Sequence, residues 1–208
     1  AEGVSVINIG VVTTPLYFYA VVKTEADGGI MVTAAHEAYH INGLKLSGRA
    51  GEPINSDGMN IIKNTSSRAV FSPEKKDGIV VTQSLVRDYI EFLVSRVDFS
   101  GARRLRVVLD AGGGMIGLLL PLLVKHLPCT TIMINTDLIF TIGTTTLDPA
   151  IEKCLATLKN AVIEHNADFG VAFNSDGDRV GFVTHNARFF RADYAAAFLA
   201  RELLKKNP

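Results

Sequence analysis

The sequence predicts two layered α/β domains, each a mixed and mainly parallel sheet packed with helices. Three observations carry that expectation. From residue 105 onward, strand-like and helix-like runs alternate: LRVVLD, GGGMIGLLLPLLVKH, TTIMIN, PAIEKCLATLKNAVIEHN, DFGVAF, RVGFVT and ADYAAAFLARELLKK. Parallel strands need long crossovers and helices supply them, so this alternation favours a largely parallel sheet. The 208 residues are 48% hydrophobic, ample for one large or two smaller domains. The polar, Gly-containing stretch DFSGARR at 98–104 marks a boundary, giving a partial first domain over 1–98 and a second over 99–208.

Taken in order, VSVINIGVV reads as the first strand. Thr13-Thr14-Pro15 then supplies a cap and a first-turn proline for a helix over about 15–24. GGIMVTA is a short strand after a Gly-Gly turn, and it ends at a polar loop, TAAHEAYHINGLKL, the position at which α/β folds carry chemistry. Residues 47–78 are rich in Gly, Asn, Ser, Asp and Pro with weak periodicity, which predicts loops and short elements. TQSLVRDYIEFLVSRV, at 82–97, predicts a helix capped by Thr82, with Leu85, Tyr89, Phe92, Leu93 and Val97 on one face.

Composition narrows the function. Lys plus Arg (21) balance Asp plus Glu (21), which gives no support for a nucleic-acid or membrane partner. MIGLLLPLLV at 115–124 falls short of the roughly 20 apolar residues a bilayer span needs. No secretory pattern precedes VSVINIGVV. Cys129 and Cys154 have no metal-type spacing and allow a single disulfide; this fits a reducing compartment, and a cytoplasmic location is expected.

Three stretches could carry chemistry. In FNSDGDRVGF, Asn174, Asp176 and Asp178 recur at every second residue around Gly177, so their oxygens can converge on a hard cation such as magnesium, with Arg179 beside it for a phosphate. An Asp-Gly hairpin turn with solvated charges is the alternative, and Arg179 would then form a structural ion pair. DAGGGMIG, at 110–117, joins a strand to a helix as phosphate cradles do, but its spacing fits neither common glycine-rich pattern and favours a tight turn. The loop after GGIMV contains His36 and leads to Lys45, which raises the question of whether it holds a reactive group. Equally, they could be a solvated loop histidine and a surface lysine.

In this order and spacing, the stretches resemble the α-D-phosphohexomutase superfamily, which includes phosphomannomutase/phosphoglucomutase and phosphoglucosamine mutase. Its members carry a loop written TASHNP, then YNGxK, and well downstream a DxDGDR loop. The corresponding residues here are Thr33-Ala34-Ala35-His36-Glu37-Ala38, then Asn42-Gly43-Leu44-Lys45, and Asn174-Ser175-Asp176-Gly177-Asp178-Arg179. The likeness runs from about residue 9 to 206, with 47–78 and 138–147 matching poorly.

The resemblance implies a phosphoserine that passes its phosphoryl group to a hexose phosphate and takes another back, with Mg2+ held by the phosphoserine and three aspartates. It puts Ala35 at the serine position and Asn174 at the first aspartate position, with Asp176 and Asp178 as the remaining metal ligands. His36, Lys45 and Arg179 would orient or neutralise the phosphoryl group. Glu37 and Ala38 replace the family's Asn-Pro, and Glu37 adds negative charge where a phosphate should sit. The expectation is an isomerase-type phosphohexomutase that is inactive as written, or alternatively a non-catalytic phosphosugar-binding or scaffold protein. The resemblance further implies a segment before the first strand and two more domains after the second.

Overall fold

The structure, a computed structural model, describes residues 3–34, 41–68, 78–138 and 148–206. The chain divides into two compact units, one of Ala1–Thr33 with Gly43–Tyr89, the other including Ile90–Pro208.

In the first unit, strand β1 (Val6–Asn8) pairs in parallel with β4 (Val80–Thr82), and β2 (Gly28–Val32) pairs antiparallel with β3 (Leu44–Gly48). The strand expected over VSVINIGVV is therefore shorter. The Asn8 side chain accepts the Gly10 N–H at 2.9 Å, and Gly10 takes φ 75°, a turn that ends the extended run.

Helix α1 (Thr14–Lys23) forms as its cap predicts: Thr13 Oγ1 accepts the Leu16 N–H at 3.4 Å, and Pro15 lies in the first turn. Leu16, Tyr17, Ala20 and Val21 are buried along one helical face. A Cβ at Gly29 would lie 2.6 Å from Val21 Cγ2 and 2.8 Å from the Tyr17 ring, so this glycine lets the helix approach β2. Tyr17 also ties the helix to β3, its hydroxyl 2.7 Å from Ser47 Oγ with both residues buried. Tyr17→Phe leaves that serine without this bond, and chemical denaturation should report a loss of about 1 kcal/mol.

Two expectations for this unit change. Residues 47–78 contain a 13-residue helix, α2 (Ser56–Arg68), with no buried residue. It is started by the Asn55 side chain, which accepts the Gly58 N–H at 2.8 Å. The helix predicted over 82–97 is α3 (Val86–Ser95); Thr82 ends β4 instead of capping it, and the Leu85 carbonyl takes the first helical bond, from the Tyr89 N–H. Its buried residues are Leu85, Tyr89 and Ile90, whereas Phe92 (36%) and Val97 (52%) are exposed, because the true stripe is rotated toward position 90. Tyr89 packs at a tilt against Tyr19 with ring centroids 5.2 Å apart, and burial pushes its hydroxyl pKa above the ordinary value.

The second unit is built on a five-stranded sheet ordered β6-β5-β7-β8-β9. Its strands are β5 (Arg106–Asp110), β6 (Thr130–Ile134), β7 (Phe169–Phe173), β8 (Val180–Thr184) and β9 (Phe189–Phe190). β5 is parallel to β6 and β7, while β8 is antiparallel to β7 and to β9. The sheet is thus mixed, and the short β9 extends its antiparallel arm.

Helices α4 (Ile116–Leu123), α5 (Ala156–Glu164) and α6 (Ala192–Lys206) follow the predicted alternation, with a 3-10 turn at Glu152–Leu155 before α5. Consecutive residues Val107 to Asp110 are all buried, and since neighbours point to opposite faces, both faces of β5 are covered. Leu155, Leu158, Ala161 and Val162 pack with Val108, Ala172 and Val183 in one core cluster. That core fixes β5 and β7, and with them the two turns at their C-terminal ends. Cys129 and Cys154 are free thiols, with burial pushing Cys129 upward in pKa. Among the described residues no helix is long and apolar enough to cross a membrane.

Candidate functional site

The loop 174–179 joins β7 to β8 and is therefore a hairpin connection. Its side chains nevertheless turn inward: Asn174 is 3% and Asp176 4% exposed. Asn174 organises the loop. Its Nδ2 donates to Asp176 Oδ1 and to Asp178 Oδ1, each at 2.8 Å, and its Oδ1 accepts the Arg179 N–H at 2.9 Å. The Gly177 N–H returns to the Asn174 carbonyl at 3.2 Å, and Gly177 takes φ 72°, a conformation suited to glycine. Asp178 and Arg179 are exposed. The structure thus brings together all four residues that the sequence singles out in this loop.

Beneath it lies the turn after β5. Gly112 and Gly113 have φ 58° and 69°, as a tight turn requires. The Gly112 N–H bonds Asp110 Oδ1, Gly113 N–H the Asn135 carbonyl, Gly114 N–H the Ala111 carbonyl, and Met115 N–H the Ser175 carbonyl at 2.7 Å. With these donors committed to the protein, the phosphate-cradle alternative for DAGGGMIG gives way to the tight turn. The turn instead supports the acidic loop directly, a role that composition does not reveal because Ser175 is 61 residues away from Gly114.

Asp110 also escapes a sequence reading. It is fully buried, its Oδ1 accepts Asn135 Nδ2 as well as the Gly112 N–H, both at 2.9 Å, and its Oδ2 has no partner among the described residues. The signal available in the sequence was an acidic residue directly after the apolar run Val107-Val108-Leu109.

In the first unit, the loop between β2 and β3 is closed at its base by the Thr33 N–H to the Gly43 carbonyl, 3.0 Å. Lys45, on β3 opposite Met31, reaches back to the start of α1, where Nζ lies 3.5 Å from Thr14 Oγ1. Thr14 is buried, so the lysine is held partly inward instead of being left as a plain surface charge. Ala35 and His36, together with Glu37, Ala38 and His40, lie outside the described residues.

A divalent cation does not fit the acidic loop as it is arranged. Hard cations need oxygen donors. The group between the two carboxylates is an amide N–H2, and the amide oxygen is already bonded to Arg179. Among the described residues no three His, Cys, Asp or Glu side chains are grouped to hold a metal.

Comparison with known proteins follows the same two segments. Residues 1–72 match the phosphoglucomutase/phosphomannomutase α/β/α domain I, and residues 87–187 match α/β/α domain II. The chain belongs to the phosphohexomutase superfamily. The phosphohexose mutases of Xanthomonas campestris pv. campestris (strain B100) are 32% identical over 209 residues, which is 100% of this chain and 47% of theirs. A phosphomannomutase of Vibrio cholerae is 30% identical, over 99% of this chain and 46% of its own. A crystal structure of a phosphoglucomutase/phosphomannomutase family protein from Burkholderia thailandensis superposes with a TM-score of 0.87 at 29% identity, covering 100% of this chain and 46% of that one. The chain spans about half the length of these relatives.

Proposed function

We propose that the chain supplies the first two domains of a cytoplasmic protein that recognises hexose phosphates but, as written, does not isomerise them. The observation that carries this reading is Ala35, which stands where the family's motif has its phosphorylated serine. Phosphoryl transfer through the enzyme needs an acceptor oxygen, and a methyl group has none. The sequence keeps cationic residues at the motif positions: Lys45 on β3 of the first unit, and Arg179 at the end of the acidic loop of the second, are each a residue type suited to phosphate oxygens. The two free thiols support a reducing compartment.

Calorimetric titration of the full-length protein with hexose 6-phosphates tests this. Saturable binding is expected, with no conversion to the 1-phosphate detectable by phosphorus NMR. Arg179→Ala should weaken binding about tenfold, the value of one charge-assisted hydrogen bond. Isomerisation by the parent protein would refute the inactivity. A second reading, a scaffold that retains the fold without the reaction, is favoured by Glu37, whose charge opposes a phosphate beside position 35.

A further inference from the structure

We propose that the Asn174 carboxamide takes the place of a divalent cation as the bridge of the β7–β8 loop. The loop then folds without metal, and binding Mg2+ would require dismantling it. The inference concerns one loop of the second unit and holds whether or not the protein recognises hexose phosphates.

The argument is a count of donors and acceptors. A primary amide has two N–H groups and one carbonyl oxygen. Here both donor contacts go to carboxylates, Asp176 Oδ1 and Asp178 Oδ1 at 2.8 Å, and the oxygen takes the Arg179 N–H at 2.9 Å. Rotating the amide by half a turn would set its oxygen against two carboxylate oxygens and its N–H2 against a backbone N–H, so electrostatics fixes the orientation seen. Asn174 is 3% exposed and Asp176 4%, so bulk water competes little for the amide and its contact with Asp176.

A cation would reverse each requirement. It must sit among oxygens, yet the Asn174 oxygen is turned toward the Arg179 N–H and its N–H2 group faces the two carboxylates. Asn174→Asp would keep an acceptor for the Arg179 N–H but turn two N–H···O contacts into close approaches of carboxylate oxygens. That variant needs a cation to gather its three carboxylates, whereas the parent does not. The residue at 174 therefore sets whether the loop depends on metal.

Side-chain amide NMR and hydrogen exchange test this on the intact protein, in EDTA and in millimolar MgCl2. In the parent, the Asn174 N–H2 resonances should be unmoved by Mg2+, and calorimetry should detect no saturable Mg2+ binding. In Asn174→Asp, loop amides 174–179 should exchange about tenfold faster in EDTA, with Mg2+ restoring their protection. A saturable Mg2+ shift of the parent's Asn174 amide overturns the proposal. So does an Asn174→Asp loop that is as protected in EDTA as the parent's, or one that Mg2+ fails to restore. If that variant does not fold, the parent titration alone decides.

Discussion

Full-length protein carrying Ala35→Ser together with Asn174→Asp is expected to interconvert hexose 1- and 6-phosphates, at a rate at least about 10³-fold above the parent. The magnitude follows from the chemistry of the group the variant supplies. Without a nucleophile there is no covalent route and only positioning and charge neutralisation remain, so a serine hydroxyl would supply the step on which everything else acts. The second substitution acts separately. It replaces the N–H2 group between Asp176 and Asp178 with a third carboxylate. Asn174→Asp alone should remain silent, since no acceptor oxygen is present, and Ala35→Ser alone should gain less than the pair. A coupled assay with Mg2+ supplied measures turnover, and mass spectrometry of the peptide containing position 35 reports phosphate on it. A double variant that binds hexose phosphate yet neither turns over nor becomes phosphorylated would favour the scaffold reading.

How much of this was legible in the sequence depends on the range of the interactions involved. Local signals read well. Thr13 and Pro15 start α1 as expected, the helix-like run PAIEKCLATLKNAVIEHN contains α5, and the every-second-residue series Asn174, Asp176, Asp178 marks a loop whose side chains do converge. Helix α2 was missed because Gly58, Asn64, Ser66 and Ser67 have low helix propensity and it buries no residue that could impose a period. Ile90, in place of Phe92 and Val97, lies on the buried stripe of α3, a rotation set by what the helix packs against and not by its own composition. Contacts distant in sequence were invisible, foremost the Asp110–Gly114 turn beneath Ser175. Ala35 and His36, to which the resemblance assigns the serine position and a phosphoryl-orienting role, lie outside the described residues, so their roles rest on motif position.

The turn beneath the acidic loop gives the largest expected effect on the structure. Gly114→Ala should destabilise the protein by about 2–3 kcal/mol and increase hydrogen exchange in residues 174–179. An added Cβ would lie 2.8 Å from the Ser175 carbonyl carbon and closer still to its Cα and oxygen. Those are backbone atoms, so no rotamer change relieves the overlap. The Ser175 carbonyl is also tied to the Met115 N–H at 2.7 Å, so the turn and the loop cannot part without losing that bond. Strain introduced at Gly114 must therefore pass into the chain segment that positions Asn174 and Asp176. Gly48→Ala serves as the control, since its Cβ would meet only Ile54 Cδ1 at 3.8 Å and the Glu52 oxygen at 3.9 Å, ordinary contacts that should change stability by less than about 0.5 kcal/mol. If Gly114→Ala lowers stability while exchange in 174–179 stays at the parent rate, the turn belongs to the core alone and does not support the loop. If both change together, the glycine turn and the acidic loop are one mechanical unit, joined through Ser175.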